Sequence, residues 1–124
     1  QLDHIKEFHQ AFSVFWQSKP APAPALVMDM RATLMREELK EVIDAMQNEP
    51  IENIAKELAD LLYVVFGTVG AYGLGDKMEA VFDEVHRSNM SKLGANGKPI
   101  LREDGKVLKG PDYSPANVAS MLAA

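Results

Sequence analysis

The sequence predicts an all-α protein: a four-helix bundle completed by homodimerisation, as a dimer or a dimer of dimers, and followed by an irregular basic C-terminal tail. Three observations predict it. Apolar residues recur at helical spacing in successive stretches up to about residue 92. Turn dipeptides and strand-like runs are confined to the tail, 94–124. The stretch Leu61 to Leu74 is apolar on every side, with only Thr68 and the hydroxyls of Tyr63 and Tyr72 for polarity. A helix of that kind is surrounded by protein, and three other helices of a 124-residue chain can hardly enclose it. The length suits a single domain, 1–124, that buries its core without staples.

Ile5, Phe8, Phe12 and Phe15 place a first helix over 3–18. Pro20, Pro22 and Pro24, alternating with Ala, make a stiff extended connector. A second helix runs from Asp29, as N-cap, to Gln47, with Leu34, Met35, Leu39, Val42, Ile43 and Met46 on its apolar stripe. Pro50 suits the first turn of a third, 50–73, through Ile51, Ile54, Leu58, Leu61, Leu62, Val65 and Val69, with Gly73 and Gly75 ending it. Gly67, Gly70 and Gly73 lie three apart, either permitting close backbone approach or simply small residues near a helix end. Asp76 with Glu79 resembles a capping box for a fourth helix, 76–92. In the tail, Ile100–Glu103 and Lys106–Lys109 flank Asp104-Gly105 as a two-residue hairpin, and Ser114-Pro115 opens a short terminal helix.

Composition narrows the function. Lys plus Arg is 13 against 18 Asp plus Glu, a net charge of −5, which argues against a nucleic-acid partner. The absence of Cys removes thiolate nucleophiles, Cys-based zinc sites and iron–sulfur clusters. The longest apolar run, Leu61 to Gly75, is bounded by Asp60 and Asp76 and falls short of the roughly 20 residues a membrane span needs, so no membrane partner is expected. The N-terminus reads as an amphipathic helix rather than a secretory signal, and a cytoplasmic location is the expectation. What remains open is a carboxylate- or imidazole-based site.

Residues 37–60 hold eight acids (Glu37, Glu38, Glu41, Asp44, Glu49, Glu52, Glu57, Asp60) against Lys40 and Lys56, a local charge of −6. Glu38 with Glu41, and Glu57 with Asp60, sit three apart, so each pair sets two carboxylates on one helix face. In an antiparallel hairpin turning at 47–50, position 38 comes near 60 and position 41 near 57. Four carboxylates converging between two helices are prohibitive when partly buried and unpaired. A hard divalent cation, Mg²⁺ or Mn²⁺, resolves the repulsion. The plainer reading is a Glu-rich amphipathic hairpin with a solvated face. A carboxylate-bridged redox-metal bundle wants Glu-x-x-His motifs, which His4, His9 and His86 do not supply.

Downstream, Arg87, Lys92, Lys98, Arg102, Lys106 and Lys109 face only Glu103 and Asp104 within residues 86–110, a charge of +4. Metal-binding acids with separately supplied cations suit a polyphosphate. A basic solvated tail is the alternative.

Glu37-Glu38-Leu39-Lys40-Glu41, then Glu57-Leu58-Ala59-Asp60 after fifteen intervening residues, resembles the E-E-x-x-E … E-x-x-D signature of the all-α nucleoside triphosphate pyrophosphohydrolases. These comprise MazG-like proteins, phosphoribosyl-ATP pyrophosphohydrolases and dimeric dUTPases. His86 to Lys92 and Gly105 to Gly110 look most like the small dUTP-cleaving Deinococcus-type subgroup of MazG-like proteins, and the resemblance covers about residues 30–113. It implies Mg²⁺-dependent cleavage of a nucleoside triphosphate to the monophosphate and pyrophosphate, in nucleotide-pool housecleaning. By that resemblance Glu38, Glu41, Glu57 and Asp60 hold the metal, with Mn²⁺ a substitute, and Glu37 and Glu38 are catalytic, Glu37 binding a further metal or orienting the attacking water. Asn89, Lys92, Lys106 and Lys109 are candidates for the phosphates, and His9, Gln10 and Trp16 for the base. Phosphoribosyl-ATP cleavage is an alternative activity, and a non-catalytic helical interaction module an alternative class.

Overall fold

The computed structural model describes residues 1–124, in two compact units, Gln1–Asp76 and Lys77–Ala124. The first holds helices α1 (Leu2–Ala11), α2 (Ala25–Asn48) and α3 (Ile51–Ala71), with α2 and α3 forming the main packed pair and α1 lying on α3. The core is small. Ile5 of α1, Val42 and Ala45 of α2, and Val69 and Ala71 of α3 are its buried apolar side chains.

Helix α1 is shorter than its apolar period predicts. It stops at Ala11, Ser13 takes a left-handed φ of 57°, and Val14 N–H reaches back to the His9 carbonyl at 2.8 Å. The chain then straps the C-terminal end of α3. Gln17 N–H donates to the Gly70 carbonyl at 2.9 Å, its side-chain amide to Ala71 O at 2.8 Å, and Ala21 N–H to Tyr72 O at 3.1 Å. The last carbonyls of a helix lack partners within it, and here the strap supplies them. That demand outweighs the helical period of Phe12 and Phe15.

Helix α2 begins four residues ahead of Asp29, because Pro24 sits just outside the first turn, where its missing N–H costs nothing, and Met28 N–H closes onto its carbonyl at 2.9 Å. The glycines of α3 open its surface within the chain itself. A side chain at Gly67 would meet Arg31 and His9, one at Gly70 would meet the Trp16 ring, and one at Gly73 would meet the main chain at Lys19. The apolar run of α3 is only partly covered: Leu62 is 49% exposed and Tyr63 40%. Beside them a shallow groove of about 200 Å³ is lined by His4, Ile5, Leu62, Tyr63 and Phe66.

The second unit holds α4 (Met78–Met90), an antiparallel pair β1 (Ile100–Leu101) and β2 (Val107–Leu108), and α5 (Val118–Ala123). Helix α4 starts from Lys77 with no side-chain cap, so the Asp76–Glu79 box does not form. The hairpin is shorter and its turn longer than the dipeptide predicts. Arg102 N–H pairs with Lys106 O at 2.8 Å, and Asp104 takes the Arg102 guanidinium and the Lys106 N–H, which holds a wider loop with Gly105 at φ +89°. Asn117, not Ser114, caps α5, accepting from Ser120 N–H at 3.2 Å. Ser114 is committed elsewhere: its N–H donates to Ser91 Oγ at 2.8 Å.

Glu84 ties α4 to the start of α5. Its carboxylate accepts two bonds from Arg87, at 2.7 and 2.9 Å, and one from Asn117 N–H at 2.7 Å. These donors hold its pKa at about 2, against an ordinary 4.5. A depressed acid contributes stability above its ordinary value and loses it as pH falls toward the depressed one. The Asn117 amide proton shift is therefore expected to move as pH falls from 4.5 toward 2. Glu84→Gln should remove that titration, and NMR of the amide checks both.

Candidate metal centre

Glu38 lies on the face of α2 that carries Val42 and Ala45 against α3, so helix geometry brings it into the seam. Glu41 stands one turn further on, at the seam's exposed edge. From α3, Glu57 reaches the same place with a side chain only 18% exposed. One carboxylate oxygen from each of these three residues lies within 4.8 Å of the others. Glu38 Oε2 and Glu57 Oε2 are buried without a hydrogen-bond partner.

Electrostatics match that geometry. Burial pushes the Glu57 carboxyl above its ordinary value, its contact with Glu41 pushes further, and Lys56 at 3.6 Å opposes them. A buried acceptor with no donor carries its full desolvation cost. Carboxylate oxygens lacking donors and held close together are the ligand set of a hard, oxygen-preferring divalent cation. The residues present therefore fit the metal that the sequence implies.

The fourth expected carboxylate does not join the group. Asp60 turns its Oδ2 to Lys56 Nζ at 2.7 Å, an i,i+4 pair along α3. Lys40 likewise pairs along α2 with Asp44 at 2.8 Å, and neither Glu38 nor Glu41 makes an ion pair. Glu37, the residue before Glu38 on α2, is exposed.

Residues 5–89 match the phosphoribosyl-ATP pyrophosphohydrolase family, more than half of the chain. The chain belongs to that family. Phosphoribosyl-ATP pyrophosphohydrolases form part of the MazG-like all-α superfamily, are in general metal-dependent, and are hydrolases acting on acid anhydrides. No curated protein matches the chain. The phosphoribosyl-ATP pyrophosphohydrolase match takes in all three clustered glutamates and ends at Asn89.

The remaining expected site residues occupy varied settings. Asn89 is exposed near the end of α4, and Lys92 is half-buried in the turn that follows. Lys106 is exposed in the hairpin loop, and Lys109 holds its ammonium 4.7 Å over the Tyr113 ring. All four belong to the second unit, whereas the glutamates belong to the first. Of the expected base-binding residues, Gln10 is exposed, but His9 and Trp16 pack into the seam between α1 and α3. Their ring centroids are 5.2 Å apart, and His9 Nδ1 donates to Phe15 O at 3.0 Å. Burial lowers the His9 pKa, the Phe15 carbonyl opposes it, and the nearby Arg31 charge lowers it further, so the ring is neutral at pH 7.

Two contacts were not drawn from the sequence. Lys56 was counted among the local charges, but its pairing with Asp60, four residues on, was not foreseen. Arg31 carried no signal, since its partners are a main-chain carbonyl and a hydroxyl on another helix.

Proposed function

We propose that this chain is a Mg²⁺-dependent nucleoside triphosphate pyrophosphohydrolase, cleaving a (d)NTP, dUTP or another, to the monophosphate and pyrophosphate in nucleotide-pool housecleaning. The observation that carries the reading is the pair of buried, donor-free oxygens on Glu38 and Glu57 beside Glu41. Glu38, Glu41 and Glu57 hold the cation, Mg²⁺ or Mn²⁺, and Asp60 joins them when it leaves Lys56.

In the reaction, the oxygen of a water molecule bonds to a phosphorus flanking the α–β bridge, and the bridging P–O bond breaks. The monophosphate and pyrophosphate separate, the bridging oxygen keeping the electron pair of the broken bond, and the proton lost by water passes to a carboxylate. Glu37, exposed and the residue before Glu38, orients the water and accepts that proton. Bound at the glutamates, the cation supplies Lewis acidity toward the phosphate oxygens. Asn89, Lys92, Lys106 and Lys109 neutralise the remaining phosphate charge, and His9, Gln10 and Trp16 shape the base end. The domain, 1–124, works as a cytoplasmic homo-oligomer, a dimer or tetramer. Apolar side chains left open on α2 and α3, among them Leu39, Ile43, Met46, Leu58 and Leu62, support that assembly.

The family match favours a second reading, in which phosphoribosyl-ATP is the substrate. Both readings predict pyrophosphate release only with Mg²⁺ or Mn²⁺, and its loss in Asp60→Asn. A panel of dNTPs and phosphoribosyl-ATP, assayed with the cation and with EDTA, decides between them. Release that persists in EDTA would overturn both. Absence of turnover on every triphosphate would return the chain to a non-catalytic helical module.

A further inference from the structure

Arg31 is 4% exposed, yet it makes no ion pair. Its Nη2 donates to the Val64 carbonyl at 2.7 Å and its Nε to Thr68 Oγ1 at 3.1 Å, while Thr68 Oγ1 donates to the same carbonyl at 3.0 Å. The guanidinium crosses α3 in the slot that Gly67 leaves open: a Cβ there would lie 2.3 Å from Nη2. Outside the carboxylate group, these are the only side-chain bonds that join α2 to α3. Arg31 lies seven positions before Glu38 on the same face of α2, and Val64 lies seven after Glu57 on α3. Both separations are two helical turns, about 10 Å.

The rest of the α2–α3 seam does little to fix register. Val42 and Ala45, the buried apolar side chains of α2, are small or aliphatic and carry no hydrogen bond that would fix register. The three glutamates repel one another and favour separation in the absence of a cation. A buried polar group with a single matching acceptor pair is the device best attested for setting helix register. We propose that Arg31 is a positioning residue, whose cross-helix bonds to Val64 and Thr68 lock the register that brings Glu38 and Glu41 of α2 against Glu57 of α3. The functional half of this inference rests on the cation reading given above. The register half stands on the hydrogen bonds alone.

The test uses the whole chain, which has no native cysteine. Spin labels at Arg36→Cys on α2 and Ala59→Cys on α3, both exposed positions, report the interhelical distance by double electron–electron resonance. Mn²⁺ titration of the unlabelled protein, followed by EPR, reports the cluster. Arg31→Met keeps an unbranched apolar stem and removes the donors. Thr68→Val removes one acceptor from the other helix. Both are expected to broaden a single label distance into several and to weaken Mn²⁺ uptake about tenfold. Arg31→Lys, which keeps the charge but not the fork, should behave like Arg31→Met. Label distances unchanged in both Arg31→Met and Thr68→Val overturn the proposal. Wild-type protein that takes up no Mn²⁺ overturns the cation reading, and the label distances then decide the register by themselves.

Discussion

Glu57→Gln is expected to strengthen the metal-free protein while removing its activity. Burial and the neighbouring Glu41 hold the Glu57 carboxyl above its ordinary value. A raised acid contributes stability that is fully present below its ordinary value and is lost as pH rises through the raised one. In EDTA, then, the wild type should lose melting temperature as the solution is taken from pH 4 toward 8, and Glu57→Gln should not. With Mg²⁺ the wild-type slope should reverse, because the cation favours the ionised form, and the variant should again stay flat. Pyrophosphate release should fall by about 10³-fold in Glu57→Gln, the scale expected when charge stabilisation is withdrawn from a transition state. Glu38→Gln, which removes the other donor-free oxygen, should follow it in activity. A merely solvated acidic face predicts neither the slope nor its reversal.

The carboxylate group was legible because helix geometry leaves little freedom. Spacing of three on each of two helices, with a turn at 47–50, puts 41 opposite 57, and the structure brings Glu38, Glu41 and Glu57 together. Asp60 shows where such reading stops. Its backbone position follows from the same period, but its carboxylate has a choice between the cluster and Lys56 one turn back, and side-chain charge decides it. Fold class was legible for the same reason as the cluster, since amphipathic periods persist through most of α2, α3 and α4.

Contacts made by main chain were harder to foresee. Phe12, Phe15 and Trp16 look like the continuation of α1, yet their segment is needed elsewhere, to satisfy carbonyls at the end of a helix fifty residues on. Nothing local announces that demand. The glycines of α3 gave half of the answer. Their spacing signalled close approach, and the partners prove to be the chain's own N-terminal segment and, at Gly67, Arg31 of α2 as well. Arg31 was invisible because carbonyl acceptors leave no trace in sequence.

Gly73→Ala is expected to cost about 3 kcal/mol of folding stability, a large fraction of what a domain of this size possesses. Two penalties combine. Gly73 sits at φ +69°, a left-handed conformation that charges an alanine about 1 kcal/mol. The added Cβ would also fall 1.8 Å from the Lys19 carbonyl oxygen. That obstacle is main chain and cannot swing aside, because its segment is pinned by Gln17 N–H on Gly70 O and Ala21 N–H on Tyr72 O. Relief requires lifting the strap and breaking those two bonds, at about 1 kcal/mol for each. Gly97 supplies the comparison. Its φ is +74°, and nothing lies within 4 Å of its Cβ direction, so Gly97→Ala should show the backbone penalty alone. Urea denaturation of the two variants separates these contributions. Equal losses would mean that the strap yields freely. A Gly73→Ala loss of about three times the Gly97→Ala loss would mean that the end of α3 is closed by a segment held rigidly in place.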